Sequence, residues 1–287
     1  MAIEGLCIIG ESINDSVPST KQLFDAGDVE GILDLARSQD EGGAAYIDVN
    51  VGSRPPEFMA DLVRRIQGVT ARPLSIDTPD AELARAGLSA YDPQRAGGKK
   101  PILNSISPLR PGMFALHAVQ PFRPILLISE RVEDGHSRPC HTAEETVQAA
   151  RDLVGLARQA GIANADLILD PGLAPIGSDT EGNLKRLLTA MEMLHNDGDF
   201  AGCHFSVGLS NFTMMLPAKR ADGSRVKGPL ESAFLTRAMP LGLDTVIGSV
   251  KRKYEILADD HPAVQCLEQV LAADGFEALM HVRSFYA

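Results

Sequence analysis

The feature that most constrains this chain is an eightfold recurrence: a short apolar run, a polar or glycine-containing turn, a longer amphipathic stretch, then another short run. The runs are LCIIGES (6–12), AYIDVNV (45–51), LSIDT (74–78), ILNSIS (102–107), PILLIS (124–129), LILDP (167–171), HFSVGLS (204–210) and DTVIG (244–248). The segments between them carry helical spacing. In VEGILDLARSQDEGG (29–43), Ile32, Leu33, Leu35 and Ala36 form one apolar face. TAEETVQAARDLVGLARQAG (142–161) opens with Thr142 and Glu145 in a capping-box pattern and closes at Gly161. In TEGNLKRLLTAMEMLHNDG (180–198) the stripe is Leu184, Leu187, Leu188, Met191 and Leu194, again closed by glycine.

Strand–helix units in strict alternation predict an α/β fold, a TIM (β/α)8 barrel in a single domain spanning 1–287, and such barrels take about 250 residues. An open doubly wound sheet gives no reason for eight similar units, and no GxGxxG follows the first run. No low-complexity segment or linker divides the chain. AYDPQRAGGKKP (90–101) and PAKRADGSRVKGP (217–229) read as loops; the second is the longest polar interruption and is expected to be solvated.

Composition narrows the function classes. With 44% hydrophobic and 23% charged residues the chain has ample apolar side chain for a core. Its formal charge of −11, without a block of Lys and Arg, argues against nucleic acid as a partner. No apolar run reaches 18 residues, and Glu4 stands where a signal peptide carries positive charge, so no membrane association and a cytoplasmic location are expected. The four cysteines, Cys7, Cys140, Cys203 and Cys266, lie far apart and suit free thiols. HSRPCH (136–141) offers His136, Cys140 and His141 but lacks a fourth ligand and zinc spacing; it reads as a solvated loop, and no metal site is expected. Cys203 and His204 open the seventh strand at the bottom of the barrel and are expected in the core.

In a barrel of this type chemistry sits where the strands end. Those ends carry Glu11 and Asn14, Asp48 and Asn50, Asp77, Asn104, Glu130, Asp170 and Asn211. Asp and Asn at such junctions commonly cap the next helix. Asp77 and Asp170, however, precede proline-containing turns, and Thr78 and Thr180 are the expected caps, which leaves both carboxylates free to face inward. Acceptors and amides with only scattered cations suit neither a phosphate nor a metal. A planar heterocycle with an amino-pyrimidinone edge presents two parallel N–H donors to a carboxylate, and asparagine reads a mixed edge. The ring of strand-end residues therefore points to a pterin or a purine-like ligand.

Seven stretches, in order and over almost the whole chain, resemble the pterin-binding family that holds dihydropteroate synthase, the methyltetrahydrofolate:corrinoid protein methyltransferases and the methyltetrahydrofolate domain of cobalamin-dependent methionine synthase. They are IIGESIN (8–14), EGGAAYIDVNVG (41–52), LSIDT (74–78), ILNSIS (102–107), LILDPG (167–172), VGLSNFT (207–213) and AFLTRAMPLGLDTVI (233–247). The resemblance implies that Asp77, Asn104 and Asp170 hold a pterin ring, with Glu11, Asn14, Asp48 and Asn50 as further site residues. At the seventh strand the synthases carry a Ser-Arg-Lys type segment for a pyrophosphate leaving group, whereas LSNF (209–212) resembles the methyltransferases.

The reaction that this resemblance implies is methyl transfer between nitrogen-5 of tetrahydrofolate (or 5-methyltetrahydrofolate) and the cobalt of a corrinoid (cobalamin) carried by a partner protein, in either direction, by a homodimer. Asn211 becomes the candidate catalytic residue; an amide cannot be a general acid at neutral pH, so it acts by preorganised hydrogen bonding. The loops after the fifth and seventh strands are candidate docking sites for the corrinoid protein. NVGSRPPE (50–57) and DPGLAPIG (170–177) resemble synthase loops, and dihydropteroate synthase is the enzymatic alternative; an inactive folate-binding module is the other. KGPLESAFL (227–235) has Glu231 and Ser232 where the methyltransferases often have an asparagine-arginine pair, a departure that suits a different corrinoid partner and methyl flow towards tetrahydrofolate.

Overall fold

Every apolar run becomes a strand in the computed structural model, which describes residues 3–287. Eight strands close a parallel barrel: β1 (Cys7–Asn14), β2 (Tyr46–Asn50), β3 (Leu74–Asp77), β4 (Ile102–Ile106), β5 (Arg123–Leu127), β8 (Ile168–Asp170), β9 (His204–Gly208) and β10 (Leu243–Gly248), in the circular order β1-β10-β9-β8-β5-β4-β3-β2. Two short strands, β6 (Glu130–Glu133) and β7 (His136–Pro139), form a separate antiparallel hairpin. The barrel is wrapped by α1 (Pro18–Ala26), α2 (Val29–Glu41), α3 (Pro56–Ile66), α4 (Ala81–Ala90), α5 (Ala143–Gln159), α6 (Asn183–His195), α8 (Lys227–Ala238), α9 (Pro262–Ala272) and α10 (Gly275–Tyr286), with a single turn, α7 (Leu209–Phe212), directly after β9. This is a TIM (β/α)8 barrel.

Because successive strand side chains point to opposite faces, each strand sorts its residues between two environments. Ile47, Val49, Ile76, Leu103, Leu126, Leu169, Val207 and Val246 face outward into the core shared with the helices. Ile9, Tyr46, Ile102, Ile125 and Ile168 form a second, smaller cluster, composed of strand residues, that fills the barrel interior. Two residues further along, the inward positions turn polar: Asp48 follows Tyr46, Asn104 follows Ile102, and Asp170 follows Ile168. The same alternation that packs the barrel floor thus delivers carboxylates and amides to its mouth.

Local sequence explains where the units depart from regularity. The fourth lacks an α-helix and has a 3-10 segment, Pro111–Ala118, since Pro111 and Gly112 both disfavour α-helix. HSRPCH is not a solvated loop. Its first residues are β7, paired to β6 through Asp134 and Gly135, both at positive φ (51° and 76°). An Asp-Gly pair between short extended segments is the usual signal of a two-residue hairpin. Cys140, next to it, is buried with its thiol towards the Ile128 carbonyl, while His136 and His141 are exposed. Among the described residues no group of three His, Cys, Asp or Glu side chains is placed to hold a metal ion, and no helix is long and apolar enough to cross a membrane.

The helix caps also differ in part from expectation. Thr142 and Glu145 form the capping box of α5. The cap of α4 is Asp80, which accepts from the amides of Glu82 and Leu83, and Thr78 in turn accepts from the Asp80 amide. Asp179, not Thr180, accepts from the amides of Asn183 and Leu184 at the start of α6. Cys203 and His204 are half-buried rather than core residues; His204 Nδ1 meets Asp244 Oδ2 at 2.5 Å.

Candidate active site

Both Asp77 and Asp170 are released from capping, and both face the barrel mouth. Asp77 Oδ2 accepts from Asn50 Nδ2 at 2.9 Å, while Asn50 Oδ1 accepts from the Gly52 amide at 2.9 Å. Asp48 is fully buried, and Asn104 Nδ2 donates to its Oδ1 at 3.4 Å. Asn104 is the register partner of Asp77 on the adjacent strand. Asp48, Asn50, Asp77 and Asn104 therefore form one polar network across β2, β3 and β4.

Burial, followed by the charge of Asp77, raises the Asp48 carboxyl well above the carboxylate range, and burial raises Asp77 as well. Two adjacent buried carboxylates do not both ionise. Asp48 keeps the proton, and Asp77 takes the negative charge with Asn50 donating to it. Asp48→Asn preserves a donor there and should keep the protein's stability, whereas Asp48→Ala should cost roughly 1–3 kcal/mol by leaving the buried Asn104 amide without its acceptor. Urea unfolding of the two variants checks this; equal losses would mean that the shared proton does not organise the network.

Asp170 and Asn211 line a second part of the mouth, a cavity of about 480 Å³ whose walls include Leu127, Ser129, Gly172 and Arg186. Asp170 is 7% exposed, and burial pushes its carboxyl up to about 6 against the opposing pull of the Gly172 amide and the Arg186 charge. Gly172 (φ +72°) donates to Asp170 Oδ1 at 2.8 Å, and a Cβ on it would stand 2.5 Å from the Ser129 side chain, so glycine alone fits this turn. Asn211 sits on α7 and is exposed. A Cβ on Gly208 would lie 2.7 Å from Asn211 Nδ2, so a glycine ends β9 where the amide folds back over it. Asp77 and Asn50 face a neighbouring cavity of about 590 Å³, beside Arg54 and Thr78.

The other strand-end residues divide. Glu11 accepts from Ser210 Oγ at 2.7 Å, one residue before Asn211. It lies within β1, which continues to Asn14. Asn14 lines neither cavity: its Oδ1 accepts from the Ser16 amide at 2.9 Å and closes a local turn. Glu130 lines the Asp170 cavity from β6, so the loop after β5 is an ordered wall of the mouth.

Arg186 was not distinguishable in the sequence. Its guanidinium is buried, donating to Thr146 Oγ1 at 2.8 Å and to the carbonyls of Pro171 and Gly172 at 2.9 and 3.3 Å. Leu188, expected in the α6 stripe, is only partly buried. An arginine beside an apolar stripe reads as a surface residue because its long stem usually carries the charge to water; here tertiary packing turns it inward beneath the Asp170 loop.

A basic cluster was also missed. Lys219, Arg225, Lys227, Lys251, Arg252 and Lys253 line one pocket of about 490 Å³ formed by the segments after β9 and β10. The cations of this face are gathered, not scattered: Lys251, Arg252 and Lys253 are consecutive, and the fold brings them to Lys219, Arg225 and Lys227.

The chain is similar to a methylcorrinoid:tetrahydrofolate methyltransferase of Eubacterium limosum, 27% identical over 252 residues that cover 84% of each protein. Among solved structures it resembles dihydropteroate synthase of Xanthomonas albilineans with 4-aminobenzoic acid (TM-score 0.59, 19% identity, 95% and 96% of the two chains). It also resembles 7,8-dihydropteroate synthase of Vibrio fischeri ES114 (TM-score 0.58, 16% identity, 99% and 93% of the two chains); at these identities the likeness is one of fold. The sequence profile of the pterin-binding enzymes matches residues 13–248, a stretch that takes in the C-terminal ends of all eight barrel strands, and the chain belongs to that family.

Proposed function

We propose that this protein moves a methyl group from the corrinoid of a partner protein to nitrogen-5 of tetrahydrofolate. The observation that carries the reading is the pairing of Asp170 and Asn211 in one cavity: a buried carboxylate to accept the paired donors of the pterin edge, and an amide at the rim for nitrogen-5. The relative named methylcorrinoid:tetrahydrofolate methyltransferase supports both substrates and this direction. Asp77 and Asn104 complete the ring-holding set, with Asp48 and Asn50 fixing their orientation.

The docked corrinoid would supply an electrophilic methyl group, its cobalt–carbon bond breaking with the electron pair left on cobalt. Nitrogen-5 of tetrahydrofolate carries one hydrogen and a lone pair. When the lone pair takes the methyl group, positive charge develops on the nitrogen and its proton must leave. Asn211 Oδ1 accepts from that N–H, aims the lone pair outward, and stabilises the developing charge as a preorganised dipole. Glu11, whose carboxylate accepts from Ser210, the residue before Asn211, is the proposed acceptor of that proton. The ordered segments after β5 and β9 flank the approach and form the docking rim.

Dihydropteroate synthase is the second reading, favoured by the solved neighbours and by the basic pocket, whose charge suits a pyrophosphate leaving group. One spectroscopic assay tests the first: incubation with 5-methyltetrahydrofolate and free cob(I)alamin, the reverse direction, should produce the methylcobalamin spectrum at a rate proportional to enzyme. Condensation of 4-aminobenzoate with a pterin pyrophosphate, and no cobalt methylation, would assign the synthase reaction instead. Folate binding without either reaction would make the protein a binding module.

A further inference from the structure

The basic pocket has no role in the methyl-transfer chemistry, and its construction asks for one. Arg252 is neutralised: its Nη1 lies 2.9 Å from the carboxylate of Glu231, which is fully buried and also accepts from Thr213 Oγ1. The remaining five cations, Lys219, Arg225, Lys227, Lys251 and Lys253, form no ion pair within 4 Å among the described residues. Lys219 and Arg225 face each other across an antiparallel β-bridge that orders the segment after β9, an arrangement that repulsion disfavours unless an anion relieves it. The hairpin is held down by Arg220, whose guanidinium stacks 4.0 Å over Phe285 of α10. The segment is largely solvent-exposed, as expected of a solvated loop, and the bridge and the Arg220 stack order it as one wall of the pocket. Glu231 and Ser232, the departure from the methyltransferase pattern, belong to the same wall: Glu231 fixes Arg252, and Ser232 Oγ accepts from the Glu255 amide at 3.2 Å.

On a protein with a formal charge of −11, five unpaired cations around a concavity of about 490 Å³ select a small polyanion. The route from the site is short. Thr213 stands two residues after Asn211 and touches Glu231, which touches Arg252 in the pocket wall. In tetrahydrofolate the p-aminobenzoyl-glutamate arm leaves from carbon-6, the ring atom next to nitrogen-5. If Asn211 addresses nitrogen-5, the arm departs beside Asn211.

We propose that the pocket formed by Lys219, Arg225, Lys227, Lys251 and Lys253 binds the glutamate tail of the folate, selecting folates with several γ-linked glutamates. The inference rests on the folate reading of the barrel mouth. Each added glutamate contributes one α-carboxylate, and several exposed charge pairs of modest individual value together give a measurable gain.

Calorimetric titration of the full-length protein with tetrahydrofolate carrying one, three or five glutamates tests it. The pentaglutamate should bind roughly tenfold more tightly than the monoglutamate at low salt, with the gain shrinking as salt rises. The double variant K251Q/K253Q, and separately K219Q/R225Q, should lose most of that gain, so that the three folates bind with nearly the same affinity. A monoglutamate that binds as well as the pentaglutamate would overturn the proposal and leave the folate reading standing; failure of every folate to bind would overturn both. A gain that persists in both variants would overturn the proposal. So would variants that keep the gain but methylate the corrinoid protein more slowly than free cobalamin, which would make the pocket a partner-docking surface. Tight binding of inorganic pyrophosphate, lost in the variants, without any glutamate gain would make it a phosphate site and overturn the proposal too.

Discussion

Asn211→Ala is expected to lower methyl transfer by roughly 10²-fold, the scale for losing one preorganised hydrogen-bonding group in the transition state. The loss should fall on kcat more than on KM, because the amide strengthens its contact only as charge develops on nitrogen-5. The proposed ring-holding residues, Asp77, Asn104 and Asp170, are unchanged in this variant. Single-turnover measurement of cobalt methylation separates the two terms, and an unchanged rate in the variant would remove Asn211 from the chemistry. Gly208→Ala gives a linked check. The added methyl would intrude on the Asn211 amide, so a similar loss is expected with the side chain still present.

For Asp170→Asn the expected loss is one of affinity, roughly 1.5–3 kcal/mol, the value of a hydrogen bond to a charged group. Burial pushes the Asp170 carboxyl up to about 6, and the paired donors of the pterin edge require the carboxylate. Wild-type affinity should therefore decline as pH falls through about 6, with proton release on binding near that pH, and the asparagine variant should lose that pH dependence. The stability slope has the opposite sense. Between about pH 4, where an unfolded aspartate titrates, and pH 6, the folded state retains a proton that the unfolded state has lost. Asp170 thus makes the ligand-free protein less stable as pH rises through that window. The asparagine variant should melt no lower than wild type at pH 7 despite binding folate more weakly. Calorimetry at several pH values and thermal melts test both statements; unchanged affinity with a lower melting temperature would make Asp170 a structural residue.

Much of this site was legible before any fold was known. Asp77 and Asp170 stood out because proline turns come after them, and both do face inward, although the caps that free them are Asp80 and Asp179 rather than the threonines beside them. Asn14 looked equivalent to Asn50, since both end a strand. The side-chain oxygen of each accepts from the amide two residues on; what differs is that the Asn50 amide nitrogen also donates to Asp77, while at Asn14 the Ser16 hydroxyl joins the turn. The hairpin after β5 had its Asp-Gly signal in plain view, although the polar run HSRPCH that follows it read as a solvated loop.

What the sequence determined by itself was the barrel and the identity of its rim. Strand alternation and helix periodicity are local properties, readable within ten residues, and together they dictate which side chains face the axis. The tertiary structure decided the charge state and the partners. Asp48 is pushed towards its protonated form because the fold buries it and then brings Asp77 beside it from another strand, Glu11 meets Ser210 across 199 residues, Arg186 turns inward under a loop, and cations from two segments converge on one pocket. Desolvation and Coulomb terms depend on distances in space, which a single chain read in order does not contain.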